Sequence, residues 1–156
     1  MLVSKRHGIL KSAALAVVLA GLALPAFATA TPEGRWRTID DKTNKEKSIV
    51  EITEVNGELQ GKVVKLLNRG DKPANPMCDK CEGDRKGKPV IGMTILWGLK
   101  QDGDEWTGGS ILDPENGETY DAKIAMKDDG QKLDVRGFLG ISLLGRTQTW
   151  IRDTGQ

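Results

Sequence analysis

The only two cysteines of the chain, Cys78 and Cys81, have a CxxC spacing that suits three kinds of chemistry. In an oxidising compartment such a pair forms a local structural disulfide. A redox dithiol would normally need a thiolate at a helix N-terminus in a βαβ unit, and the sequence indicates neither. Half of a zinc site would need carboxylates or a second chain to complete it. We favour the disulfide and expect no metal and no cofactor.

The segment 141–152 carries the most informative binding chemistry. Side chains alternate between the two faces of a strand, so one face of this segment must point inward. The first face carries Leu144, Arg146, Gln148, Trp150 and Arg152. The second face carries Ile141, Leu143, Gly145, Thr147, Thr149 and Ile151. We favour the first face, because Trp36, Trp97 and Trp150 can then share one interior. A buried Arg146 would need an acidic side chain or an anionic ligand as its partner.

Two further residues can add to such a pocket. Tyr120 lies on a neighbouring predicted strand, and Arg136 stands beside Gly137. For Arg136 two interpretations stay open, a pocket residue or an outward-facing, paired surface residue. The candidate ligand-binding residues are therefore Trp97, Tyr120, Arg136, Arg146, Gln148 and Trp150.

Short segments with period-two alternation, separated by turn signals about eight to twelve residues apart, predict eight strands. Their predicted bounds are 34–39, 48–55, 58–67, 91–100, 105–112, 118–126, 131–138 and 141–152. Asn56-Gly57 is a strong two-residue hairpin signal. Gly108-Gly109 indicates a bend or bulge. The polar segment 68–90, with both cysteines, is unusually long for a connection and is expected to be functional or pinned down.

Short antiparallel hairpins exclude a parallel sheet, which needs long crossovers. Closure of the sheet removes its exposed edges, so we favour an all-β, eight-stranded antiparallel up-and-down barrel over a sandwich. Side chains just fill the interior of such a barrel, or leave room for one small ligand.

Residues 1–28 are predicted to be a signal peptide, with a basic start, an apolar stretch and small residues before the cleavage site. We therefore expect a single exported domain, residues 29–156, in the periplasm or released to the medium, and not membrane-spanning. Cleavage would remove His7, the only histidine, which excludes histidine-dependent hydrolysis and histidine-ligated metal. It would leave 20 basic and 22 acidic residues of the 23 and 22 in the full chain, so nucleic acid is not an expected partner.

A GxW sequence ending at Trp36, with Arg146 and Arg152 near the end of the chain, resembles the lipocalin-type barrel. That resemblance implies that Trp36 plugs one end of the barrel and that an arginine packs over its ring. The motifs CxxCxGD at 78–84 and GRTQTW at 145–150 resemble a family of small secreted bacterial proteins classified as a domain of unknown function. That second resemblance covers about 34–152 and implies a lipocalin-like, exported barrel, with no activity attached.

The sequence leads to three hypotheses about the function of the protein. The leading one is binding, without catalysis, of a small apolar or amphipathic ligand in the barrel. Arg146 and Gln148 would hold its polar end, and Trp97, Trp150 and Tyr120 would face its apolar part. The second is an envelope structural or interaction module with a filled barrel, whose long loop is the contact surface. The third is a thiol oxidoreductase that uses Cys78 and Cys81.

Overall fold

The computed structural model of the protein describes residues 30–155 and consists of eight antiparallel strands with three short 3₁₀ turns. The predicted signal peptide, residues 1–28, lies outside the described residues. The strands are β1 (Gly34–Ile39), β2 (Glu46–Val55), β3 (Glu58–Leu66), β4 (Thr94–Asp102), β5 (Glu105–Asp113), β6 (Glu118–Lys127), β7 (Lys132–Phe138) and β8 (Arg146–Arg152).

Each strand pairs with the next along the chain, and β8 pairs back with β1 to close the barrel. The closing register sets Trp36 opposite Arg152 and Arg37 opposite Ile151. The predicted eight-stranded, closed antiparallel barrel is therefore confirmed. No helix within residues 30–155 is long and apolar enough to cross a membrane.

The fourth strand differs from its prediction, because it begins at Thr94 and not at residue 91. Its strict alternation is also interrupted, since Leu96 and Leu99, three residues apart, are both fully buried. Gly98 has a φ of +74° between them, which allows the backbone to bulge and to change the face that points inward. The predicted irregularity at Gly109 is confirmed, because the β5–β6 register shifts there.

The eighth strand is shorter than predicted and begins at Arg146. Residues Ser142–Leu144, predicted to extend it, form a 3₁₀ turn instead. Within β8 the favoured face does point inward: Trp150 is fully buried and Gln148 is half-buried, while Thr147 and Thr149 are exposed.

Trp36 lies at one end of the barrel, where it is fully buried and its indole Nε1 donates to the Pro32 carbonyl at 2.8 Å. The guanidinium of Arg152 stacks on the Trp36 ring, 4.2 Å from its centroid. Tight connections join β2 to β3, β4 to β5 and β6 to β7 at this end. We call it the sealed end.

The other end, the open end, carries the four remaining connections, of which the longest is the β3–β4 loop (residues 67–93). A disulfide joins Cys78 to Cys81 inside this loop, and both residues are buried in the core. The loop is tied to the barrel by the Gly92 N–H, which donates to the Val63 carbonyl at 2.7 Å. It is also tied by Arg85, whose guanidinium stacks 4.2 Å from the centroid of Trp97. The segment is thus pinned down.

Candidate functional site

A cavity of about 540 Å³ opens at the open end of the barrel. This volume lies in the range of about 300–1,000 Å³ that is usual for small-molecule sites. Strands β1, β2, β3 and β5 to β8 each contribute to its wall, β4 contributes Ile95, and the β3–β4 loop covers one side. The open half of the barrel is therefore not completely filled by its own side chains.

The inner wall of the cavity is largely apolar. Its buried apolar members are Val63, Val90, Ile95, Leu112, Val135 and Trp150. Two buried hydroxyls, of Thr38 and Ser48, also lie here, and they hydrogen-bond to each other at 2.7 Å. Each hydroxyl has the other as its hydrogen-bond partner, so neither side-chain oxygen of this inner wall is left without a partner.

A chain of polar contacts runs from the interior to the mouth. The indole Nε1 of Trp150 donates to the Gln148 side-chain oxygen at 3.2 Å, and the Gln148 amide donates to the Asp41 carboxylate at 3.0 Å. The same carboxylate forms an ion pair with Arg146. These contacts fix the orientation of the Gln148 amide and link the buried indole to the charged mouth.

Arg146 differs from its expected position as a buried internal charge. It is the first residue of β8, and its side chain is 64 % exposed at the mouth. Its position as the first residue of the strand explains this, since alternation determines the face of a residue but not its depth along the barrel. The guanidinium is therefore placed to meet the outer end of a molecule in the cavity.

Tyr120 lines the cavity near its mouth and is half-buried. Its hydroxyl donates to the Glu118 carboxylate at 2.5 Å and accepts from the Asn116 amide at 3.0 Å. The hydrogen bond to Glu118, with a smaller effect of burial, raises the pKa of Tyr120 above its ordinary value. The phenol is thus held neutral and oriented at the rim.

Charged side chains surround the mouth, and the cationic ones are more numerous. The lining includes Lys47, Arg69, Lys72, Lys80 and Arg146 against Asp79, Asp113 and Glu115. Lys47 pairs with Glu115 at 3.0 Å, and Arg146 pairs with Asp41. Outside these pairs, Arg69, Lys72 and Lys80 face Asp79 and Asp113, so the lining keeps a small excess of positive charge that favours an anionic group.

The structure brings four of the six candidate ligand-binding residues to the cavity: Tyr120, Arg146, Gln148 and Trp150. Trp97 is not in the lining; it is half-buried against the hydrophobic core, and the Arg85 guanidinium stacks on its ring. Two register irregularities in the β3–β4 pairing account for this, since Ile95, Leu96 and Leu99 are all buried and the strict alternation does not hold between them.

Arg136 lies on the outward face of β7, opposite the buried Leu133 and Val135, and it is paired, but with carbonyl and hydroxyl oxygens. Its guanidinium donates to the carbonyls of Ser142 and Leu143, at 2.8 and 3.3 Å, and to the Thr147 hydroxyl at 2.8 Å. It neither lines the cavity nor pairs with a carboxylate among residues 30–155. Its role is to hold the β7–β8 connection.

Sequence reasoning did not identify Asp41 or the basic residues of the β3–β4 loop as parts of the site. Asp41 lies in the β1–β2 turn, 107 residues before its partner Gln148, and no local pattern links the two. Lys72 and Lys80 stand in a polar loop without periodicity, whose path over the barrel a sequence pattern does not define.

A closed eight-stranded antiparallel barrel with a cavity open at one end is a lipocalin-like fold. One solved structure with the same fold is that of protein HP1028 from the human pathogen Helicobacter pylori, described as a protein that "belongs to the lipocalin family". It matches with a TM-score of 0.70 and 21 % sequence identity, over 81 % of this chain and 86 % of that one.

Residues 34–152 match the family described as "Uncharacterized protein conserved in bacteria (DUF2147)", and the chain belongs to this family. The match confirms the predicted bacterial family without an assigned activity, whereas the roles of its motifs stay predictions. A comparison with curated proteins gives no match.

Proposed function

We propose that this protein is exported and binds, without catalysis, one small amphipathic molecule in the cavity of its barrel. The observation that carries this proposal is the cavity itself, about 540 Å³ in volume, with an apolar inner wall and a cationic mouth. A molecule with an apolar body and an anionic or strongly polar end matches both parts.

In the proposed complex the apolar body lies against Trp150, Val135 and Leu112, where burial removes it from water. The polar end lies at the mouth, within reach of Arg146 and the Gln148 amide. An anionic end would compete with the Asp41 carboxylate for these two groups, so we expect Asp41 to be displaced when such a ligand binds.

Export is supported by the predicted signal peptide and by the disulfide, which persists in oxidising compartments such as the periplasm. The proposed absence of catalysis is supported by the composition, since residues 30–155 contain no histidine. The thiol-oxidoreductase alternative is disfavoured because Cys78 and Cys81 are both buried, away from an attacking thiolate. The filled-barrel alternative is disfavoured by the cavity.

Binding of anilinonaphthalene sulfonate, an amphipathic anion whose fluorescence rises in apolar surroundings, tests the proposal. We expect saturable binding to the wild-type protein. Val135→Trp places an indole in the cavity and should weaken that binding by about tenfold or more, because the probe loses apolar contact area. Val55→Trp makes the same substitution on a 43 % exposed side chain near the sealed end, and it should bind the probe as the wild type does.

Circular dichroism of both variants checks that the barrel is intact. Native mass spectrometry of the protein purified from the periplasm should also detect a co-purified small molecule. The proposal is wrong if the wild-type protein shows no saturable binding, or if a folded Val135→Trp variant binds the probe as tightly as the wild type.

A further inference from the structure

The connection between β7 and β8, which we call the apolar loop (residues 139–145), exposes an unusual set of side chains. Leu139, Ile141, Leu143 and Leu144 are 66, 58, 88 and 78 % exposed. The loop contains no charged residue, and Arg136 and Arg146 stand before and after it. Four exposed aliphatic side chains within seven residues are a typical mark of an interaction surface.

The conformation of the apolar loop is specified by contacts with the barrel. Arg136 holds the carbonyls of Ser142 and Leu143, and it also binds the Thr147 hydroxyl at the start of β8. Gly145 packs so closely on β7 that a Cβ there would lie 2.7 Å from the Cβ of Phe138. The backbone of the loop is therefore held against the barrel while its leucine side chains are exposed.

The apolar loop lies at the open end, beside the mouth of the cavity. Gly137 and Arg146, which pair across the two strands at its base, both line the cavity. The cations Arg69, Lys72 and Lys80 lie at the same end and line the same mouth. This end of the barrel thus combines protruding aliphatic side chains with a cavity lining in which cations outnumber anions, five to three.

This combination matches the surface of an anionic bilayer. Aliphatic side chains insert into the boundary between headgroups and acyl chains, while nearby arginine and lysine side chains bind the anionic headgroups. A stable protein interface needs about 20–30 residues per partner, far more than one protruding loop offers. Insertion into a bilayer needs only the loop itself.

We propose that the protein docks on anionic membranes through the apolar loop, with the mouth of its cavity turned toward the lipid. Leu143 and Leu144, the most exposed members, enter the interface, and the cations of the mouth face the headgroups. This docking does not depend on whether the cavity holds a ligand, and it is measured without one.

Flotation with vesicles tests the proposal. The wild-type protein should bind vesicles of phosphatidylcholine mixed with phosphatidylglycerol, bind pure phosphatidylcholine more weakly, and release as salt increases. The double substitution Leu143→Asp and Leu144→Asp should reduce binding to the anionic vesicles by about tenfold or more. It removes two apolar groups that insert into the bilayer, and it adds two negative charges that the anionic headgroups repel. Val55→Asp, an apolar-to-acidic change at the sealed end, should change binding by less than about twofold.

A second measurement reports insertion directly. Leu143→Cys labelled with a nitrobenzoxadiazole dye, with the Cys78–Cys81 disulfide kept, should show a blue-shifted, brighter emission on anionic vesicles. A dye on Val55→Cys should show no such change. The proposal is overturned if the wild-type protein does not bind these vesicles, or if the double variant binds them as well as the wild type. It is also overturned if the loop substitutions only convert a dimer to a monomer.

Discussion

Arg152 is expected to be the most important single side chain for the stability of the sealed end. Its guanidinium donates to three carbonyls, of Gly130 at 2.6 Å, Thr31 at 2.9 Å and Glu33 at 3.0 Å. The same group covers the ring of Trp36 at 4.2 Å. Replacement by Met keeps much of the aliphatic stem and removes all four interactions together.

The magnitude follows from these contacts. The cation–π contact contributes about 1 kcal/mol at a partly shielded site. The part-buried hydrogen bond to Gly130 contributes about 1.5 kcal/mol, and the two exposed ones, which water can replace, contribute less. Burial lowers the pKa of Arg152, so desolvation offsets part of this gain. We expect Arg152→Met to lower the free energy of unfolding by about 3 kcal/mol, or the melting temperature by about 10 °C.

Urea unfolding followed by tryptophan fluorescence measures this loss. Arg152→Lys keeps the charge but not the planar, multiply donating group, and it should lose roughly half as much. Arg35→Met is the matched control, since Arg35 forms only an exposed ion pair with Glu51 at 3.0 Å and should lose less than about 0.5 kcal/mol. If Arg152→Met is as stable as Arg35→Met, the proposed basis of sealing is incorrect.

Two further predictions concern the rim of the cavity. Tyr120 is the only tyrosine, so its ionisation can be followed by ultraviolet absorbance, and its midpoint in the folded protein should lie above the ordinary value of about 10. Because the pKa of Tyr120 is higher in the folded than in the unfolded protein, it contributes stability that is fully present below the unfolded pKa. This stability is lost as pH rises through the folded pKa. Glu118→Gln should lower the titration midpoint of Tyr120. Gly117 and Gly57 have nearly equal φ angles, +80° and +79°. A Cβ at Gly117 would clash with the backbone of Lys80 in the β3–β4 loop, whereas a Cβ at Gly57 would meet open space. In urea unfolding, Gly117→Ala should therefore cost about 1–3 kcal/mol more than Gly57→Ala, and equal costs would contradict the packing of this turn on the loop.

The number and pairing of the strands could be predicted because each depends on local signals. Asn56 and Gly57 both adopt positive φ, as a two-residue hairpin between right-twisted strands requires. Each of the seven connections joins strands that are neighbours in the sheet, so β1 and β8 are the two edge strands. Pairing β8 with β1 is then the only way to remove both edges of the sheet. Local periodicity therefore determined most of the barrel.

The site was predicted less completely, because its charges and partners come from segments without periodicity. Alternation placed Gln148 and Trp150 on the inward face but could not show that Arg146 sits at the rim, since depth depends on where the strand begins. Trp97 lies outside the cavity lining for a related reason. Two register irregularities in the β3–β4 pairing, one on each side of Leu96, interrupt the alternation of β4, and only tertiary pairing with β3 reveals them.

The two ends of the barrel differ in a way that constrains how a ligand could reach the cavity. Trp36 and Arg152 fill the sealed end, so exchange must occur through the open mouth. Any molecule that passes this mouth meets its cations before it meets the apolar wall around Trp150. A neutral apolar molecule gains only from the wall, whereas an amphipathic anion gains from both. If the apolar loop holds the mouth against a bilayer, an amphipathic anion could move between membrane and cavity without exposing its apolar part to water.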